Sequence, residues 1–293
     1  MRWRRWTLYL LLLIAAGLWI TRPSPLPSDA LDGLTGDAAA GEITFAAAGC
    51  ASCHRAPEAS DGPLSGGRSF VSPFGTFYAP NISPHASAGV GNWSDHDLAS
   101  AIMRGVSPGG AHYYPAFPYD SYQNAAPQDV VDIIAYLRTL PASDTANRPH
   151  DVSFPFNIRT SLGGWKLLFA RPGWVLDDPA TAELERGRYL VEALGHCGAC
   201  HTPRNVLGGP VTANWLGGAP DPSGQGRIPN ITSGGLDWSV EDIASYLESG
   251  FTPDFDSAGG EMVDVIANTS QLSDSDRLAI AAYLKAVPPV TAP

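Results

Sequence analysis

The chain is poor in cysteine, methionine and basic residues, and each scarcity excludes something. It holds four Cys and three Met in 293 residues, and 18 Lys or Arg against 29 Asp or Glu, a formal charge of −11. Four of the bases (Arg2, Arg4, Arg5, Arg22) fall in the first 22 residues, which contain no acid; the remainder carries 14 bases against 29 acids, or −15. A surface that acidic repels phosphate backbones, which argues against any nucleic-acid partner. With 44% apolar and 16% charged residues the chain is neither disordered nor collagen-like. No stretch alternates with the period of a strand for long enough to build a sheet. What is abundant is Gly (31) and Pro (26), the composition of ordered loops between short elements.

The first residues form a separate unit. MRWRRW precedes TLYLLLLIAAGLWI, an uncharged apolar stretch bounded by Arg5 and Arg22, the layout of an export signal. The stretch ends Trp19-Ile20-Thr21-Arg22-Pro23, without a small-x-small cleavage site. A helix from Trp3 to Ile20 would rise roughly 27 Å, near the ~30 Å of a hydrocarbon core. Trp3, Trp6 and Trp19 fall near its ends, as interfacial tryptophans do. The expectation is an uncleaved transmembrane anchor over 1–24, with a cleaved signal as the alternative. In both cases the rest of the chain is exported. RPSPLPSDA follows as a semi-rigid spacer.

Beyond it the chain repeats. Cys50-Ala-Ser-Cys53-His54 recurs 147 positions later as Cys197-Gly-Ala-Cys200-His201. DVVDIIAYLRTLP (129–141) recurs as DRLAIAAYLKAVP (276–288), PNIS (80–83) as PNIT (229–232), and NWSDHDL (92–98) as DWSVEDI (237–243). The last pair carries Ser-x-x-Asp, a helix-starting capping box. Matches in one order predict two copies of a mainly helical domain, at 25–145 and 181–293, joined by a connector over 146–180. SLGGWKLLFARPGW (161–174) in that connector is apolar enough to pack between the two copies; the alternative is contact with a membrane or a partner subunit.

Four cysteines in an exported chain could form two disulfides or CxxC redox centres. Neither explains why a His follows each pair at the same repeat position. Zinc could use Cys₂His, but no fourth ligand lies at short spacing. C-x-x-C-H is the attachment site of c-type haem. Thiols three residues apart lie on one helical face and reach both vinyl groups, while the adjacent imidazole faces the iron. Cys50, Cys53, Cys197 and Cys200 are thus expected to hold two haems, with His54 and His201 as iron ligands.

With these motifs in view, each half resembles a class I cytochrome c domain: a helix before CxxCH, a capped middle helix, and a terminal helix crossing the first. Residues 40–290 resemble the cytochrome c subunits of membrane-bound periplasmic alcohol, aldehyde and gluconate dehydrogenases, in FGTFYAPNISP, GVGNWSDHDL, HYYPAFPY, GHCGACHTPRN and IAAYLKAVP. The resemblance implies an all-α pair of tandem domains, an inner-membrane location with both haems in the periplasm, a dehydrogenase partner and a respiratory-chain acceptor. Such subunits usually carry three haems; this chain has sites for two.

Class I domains take a sixth ligand, Met, from the loop before the last helix. Counting from the Gly that ends each middle helix, Met262 stands twelve after Gly250, and Phe117 stands twelve after Gly105. Met262 is therefore the expected second ligand of the second iron. For the first, His112 in the same loop is the candidate, with His85 and an open iron as alternatives; Met103, off the apolar stripe of Leu98 and Ile102, is expected to be peripheral. By resemblance Trp93 and Trp238 sit near haem propionates, against ordinary core aromatics; Arg204 neutralises a propionate, against a solvated surface residue. Asn81 and Asn230 pin their loops. His96 and His150 read as surface residues, and His196 as cover for a haem edge. The leading function is electron relay. The alternatives are a dihaem enzyme of peroxidase or thiosulfate-oxidising type, working at the first iron, and the dihaem subunit of a haem–copper oxidase.

Overall fold

Two helix crossings of one kind organise the computed structural model, which describes residues 2–57, 62–222, 224 and 226–291; Met1 lies outside them. Helix α1 spans Arg2–Ile20. Helix α2 (Ala38–Ala47) starts on Asp37, whose side chain accepts from Ala39 and Ala40 N–H. It leads to α3 (Cys50–His54), then α4 (Asp95–Arg104), α5 (Tyr119–Tyr122) and α6 (Pro127–Leu137). After α7 (Ser161–Phe169) the order repeats: α8 (Ala182–Arg188) running into a π-helical turn over Tyr189–Leu194, then α9 (Gly198–His201), α10 (Val240–Ser249), α11 (Met262–Thr269) and α12 (Asp274–Ala286).

The crossings depend on glycine. A Cβ on Gly41 of α2 would stand 2.0 Å from Asp132 O of α6, and one on Gly187 of α8 would stand 2.0 Å from Ala279 O of α12. Only a residue without Cβ lets the backbones approach so closely. The middle helices α4 and α10 open with capping boxes, Ser94 with Asp97 and Ser239 with Asp242, as Ser-x-x-Asp predicts. Each ends on a left-handed glycine, Gly105 (φ 57°) and Gly250 (φ 77°). One continuous apolar core runs through both halves, from Phe45, Leu98 and Ile134 to Leu190, Leu247 and Leu284.

The structure departs from the sequence reading at several places in the fold. The fold is helical but carries two small antiparallel hairpins, β1 (Ser69–Ser72) with β2 (Gly75–Tyr78), and β3 (Ala219–Pro220) with β4 (Arg227–Ile228). Strands of four and two residues are too short to show a period. Among the described residues no helix is long and apolar enough to cross a membrane, which corrects the expected transmembrane anchor. The cause is charge: Arg2, Arg4 and Arg5 occupy the start of α1, leaving only Trp6–Ile20 apolar, a rise of about 22 Å. That helix buries none of its residues. Residues expected to begin the connector pack on the first domain instead: Asp151 pairs with Thr76, and the His150 ring stands edge-on to Phe77 and Tyr114 at 5.5 Å. His96, read as a free surface residue, meets the carbonyls of Leu26 and Pro27 through Nε2.

Helix α7 is hydrogen-bonded to both halves. Lys166 Nζ of α7 donates to Arg104 O (2.6 Å) and Gly105 O (2.8 Å) of the first, while Trp165 Nε1 donates to Leu207 O (3.1 Å) of the second.

Candidate functional site

Each CxxCH segment is one short helix hung from the turn that follows it. Gly66 N–H donates to His54 O and Gly218 N–H to His201 O, both at 2.7 Å. Ile82 N–H then donates to Leu64 O, and Ile231 N–H to Leu216 O, both at 3.0 Å. Gly66 (φ 73°) and Gly218 (φ 84°) lie on the Pro80-Asn81 and Pro229-Asn230 backbones, where a Cβ would collide. The sequence reading missed this Leu-x-Gly pair, although Leu64-Ser-Gly66 and Leu216-Gly-Gly218 stand in the same order in both copies.

The turn sets the histidines. His54 Nδ1 lies 2.8 Å from Pro80 O, and His201 Nδ1 lies 2.8 Å from Pro229 O. A carbonyl only accepts, so Nδ1 carries the proton and Nε2 keeps a free lone pair. Burial lowers the pKa of both imidazoles and keeps them neutral. A neutral ring held by a second-shell carbonyl through one nitrogen is the form that ligates metal through the other. Asn81 and Asn230 hold the same turn as expected: Asn81 donates to Ser143 O and Thr145 O (both 2.9 Å), Asn230 to Val290 O (2.6 Å).

No disulfide joins any of the four cysteines. Burial pushes Cys50 and Cys197 up to about 12 and Cys53 up to about 11. A catalytic CxxC needs a lowered pKa, so these thiols are the reverse of a redox centre.

Each motif region is braced from across the domain boundary. Helix α11 of the second domain packs on α3 of the first. Arg68 Nη1 donates to Ser52 O and pairs with Asp264 Oδ2, and its Nη2 pairs with Glu261 Oε2, each at 2.5 Å. Asn268 Nδ2 donates to Ser52 Oγ at 2.6 Å. In return, α5 of the first domain packs on the turn preceding Cys197. The Tyr122 hydroxyl donates to Ala48 O (2.6 Å), and its ring stands edge-on to His196 at 5.5 Å. His196, with φ 39°, thus reaches into the other domain beside Gly49, a role the sequence did not suggest.

The remaining candidates fall unevenly. Met262 is the half-buried first residue of α11. Trp93 and Trp238 occupy equivalent half-buried places against the core, their carbonyls accepting from Arg138 (2.9 Å) and Lys285 (3.0 Å) of the terminal helices. Arg204 is exposed and spends its guanidinium on Gly208 O (2.9 Å) and Ala199 O (3.3 Å) of its own loop. His112 is buried, but its Nε2 meets Thr21 O at 2.9 Å, and its cavity is walled by Met103 and Arg104, with no residue of Cys50–His54. Met103, expected at the periphery, is 7% exposed within the core. Phe117 fills its loop with aromatic contacts to Tyr113, Tyr119 and Tyr122.

Comparison with known proteins gives the class. Residues 38–141 match the cytochrome c family model. The chain is 58% identical to a dihaem cytochrome c of Cereibacter sphaeroides over 279 residues, 94% of either chain. It is 40% identical over 257 residues to the fructose dehydrogenase cytochrome subunit of Gluconobacter japonicus, and 36% identical over 262 residues to the gluconate 2-dehydrogenase cytochrome c subunit of Pantoea cypripedii. These alignments cover 85% and 84% of this chain, but 52% and 58% of the dehydrogenase subunits, so the chain spans about half the length of those relatives. The chain belongs to the cytochrome c family. Paired thiols one turn from a neutral imidazole with a free Nε2 suit covalent c-type haem, and the arrangement occurs twice.

Proposed function

We propose that the protein is a dihaem electron carrier, taking single electrons from a substrate-oxidising dehydrogenase and passing them to a respiratory acceptor. The observation that carries this reading is the doubled CxxCH segment, each copy with its imidazole held through Nδ1, the first braced by α11 of the other domain and the second, at the turn before it, by α5. Haem supplies a one-electron iron couple when bound. The protein's own residues do the rest: Cys50, Cys53, Cys197 and Cys200 fix the porphyrins, His54 and His201 present Nε2, and Arg68, Tyr122 and Asn268 hold the two attachment helices in register. Met262 is our assignment for the second iron, and an iron held by both His201 and Met262 would suit electron transfer rather than substrate binding. The kinship with dehydrogenase cytochrome subunits supports a dehydrogenase donor. Helix α1, uncovered along its length with arginines at its start, supports export and association with the inner membrane, both haem domains in the periplasm.

The test is haem quantification and intact mass of exported protein, followed by its reduction by a co-purifying dehydrogenase. Two porphyrin adducts with fast reduction support the reading; the bare polypeptide mass overturns it. Replacing Met262 by Ala should abolish the sulfur-to-iron charge-transfer band. A second reading rests on Phe117: with no donor at that position the first iron could be catalytic. Rapid reaction of the purified protein with peroxide would favour it.

A further inference from the structure

At the foot of α1 lies a cavity of about 200 Å³ that neither attachment motif touches. Its wall includes three cations, Arg22, Arg104 and Lys166, and among the described residues no Asp or Glu lines it. In a chain with a formal charge of −11 that is a local reversal of sign. The cations are met by neutral groups. Lys166 Nζ donates to Arg104 O and Gly105 O and lies 4.4 Å from the centre of the Tyr119 ring. Arg104 Nε donates to Ser24 O (3.4 Å), and the Arg22 guanidinium stacks on Trp19 at 4.6 Å.

A second, independent observation points the same way. His112 (4% exposed) and Tyr119 (2% exposed) also line this cavity. His112 Nδ1 and the Tyr119 hydroxyl are buried atoms without a hydrogen-bond partner among the described residues. Buried polar atoms of this kind cost stability unless something satisfies them. Two buried polar atoms beside three cations suit an anion with several oxygens, and arginine forks with a lysine are the usual means of holding phosphate.

We infer that this cavity binds a phosphate group, free or carried as the headgroup of an acidic lipid. Tyr119 donates its hydroxyl to a phosphate oxygen. His112, whose Nε2–H is spent on Thr21 O, presents its Nδ1 lone pair as an acceptor for a hydroxyl of the bound phosphate or its headgroup. Ile20, Thr21 and Arg22 form one wall of the cavity, and Leu18, Trp19 and Ile20 just before it are exposed. Acyl chains lying along α1 would bring a headgroup to the cavity mouth.

The test uses the full-length haem-loaded protein with two probes: vesicles of phosphatidylglycerol in phosphatidylcholine, against phosphatidylcholine alone, and inorganic phosphate followed by calorimetry. The variants are Arg104→Gln and Lys166→Gln, with Arg227→Gln on the exposed β4 as control. Each cavity variant should weaken binding about tenfold, the worth of one charge-assisted hydrogen bond, while Arg227→Gln leaves it unchanged. Variant-sensitive binding of vesicles identifies a lipid headgroup, and variant-sensitive binding of inorganic phosphate a free anion; either supports the inference. Binding indifferent to both cavity variants, or no binding of either probe, overturns it. Circular dichroism and the visible spectrum verify the fold. Should Lys166→Gln unfold, Arg104→Gln, whose side chain is exposed, carries the test.

Discussion

Replacing Gly41 by Ala is the sharpest test of how the domains are built. The new Cβ would stand 2.0 Å from Asp132 O, 2.5 Å from Asp132 C and 3.0 Å from Tyr136 Cβ. The nearest of these atoms are backbone, so no rotamer change relieves the overlap. Nor can α6 slide aside freely, because the Asp132 carboxylate accepts from Asp37 N–H at 2.8 Å and Gln128 Nε2 donates to Thr35 O at 2.8 Å. The helices must separate locally, a form of overpacking that costs about 1–3 kcal/mol. Against this, alanine gains up to about 1 kcal/mol of helix propensity over glycine. With the full propensity gain the net is a loss of up to about 2 kcal/mol, and each kcal/mol is roughly 4–8 °C in the melting temperature of a domain of this size. Gly187→Ala meets Ala279 O at the same 2.0 Å and should behave alike. Gly164 on α7 has open space where its Cβ would be, so Gly164→Ala should be neutral or stabilising. Thermal melts of the haem-loaded protein, read by circular dichroism, decide the matter. If Gly41→Ala melts at or above the wild type while Gly164→Ala does not differ from it, the crossing argument fails.

Asn81→Ala removes two donated bonds and the acceptor of Ser83 N–H from a buried site, and should cost about 2–3 kcal/mol in urea unfolding; Asn230→Ala drops one donated bond and two accepted from Thr232, but at a half-buried site, and should cost less. Burial, with Arg104 adding to it, lowers the Lys166 ammonium to about 8. Between about 8 and the usual lysine value the unfolded chain holds a proton that the folded chain has released, so stability rises with pH there. Lys166→Met should flatten that segment of a stability–pH curve, and an unchanged slope would refute the assignment. A double-mutant cycle between Arg68→Gln and Asp264→Asn should show coupling of about 0.5–1 kcal/mol, because Asp264 is partly exposed; zero coupling would mean that the pair does not tie the domains.

What the sequence disclosed is what recurs locally. The CxxCH repeats, both capping boxes and the two Pro-Asn turns are legible because each is fixed by residues a few positions apart. What it hid depends on contacts far apart in the chain. Arg68 meets Asp264 across 196 positions, and Asn268 meets Ser52 across 216; no spacing rule reaches so far. His112 was assigned by loop position alone. In space that loop folds towards Thr21, and the imidazole follows it. Met103 is hidden for a related reason: it lies off the stripe of Leu98 and Ile102 on its own helix, yet α5 packs on α4 and residues of α7 lie beside it. For α1 the apolar run is legible in the sequence, but the arginines at its start shorten it.

The two copies differ most where they touch. In each, the segment between the middle and terminal helices is the one that crosses the boundary, α5 onto the turn before Cys197 and α11 onto Cys50–His54. A duplicated domain that packs face to face must use equivalent surfaces twice, so this segment has two duties: serving its own half and bracing the other's attachment helix. In the second copy α11 gives Asp264 and Asn268 to the neighbour and begins with Met262. In the first, Phe117 and Tyr122 form an aromatic wedge that ends on His196. Methionine in place of Phe117 would take one ring out of that wedge. The absence of a thioether from the first copy is therefore tied to the interface, and Phe117→Met should loosen the packing of Tyr122 on His196 even where it offers the first iron a sulfur.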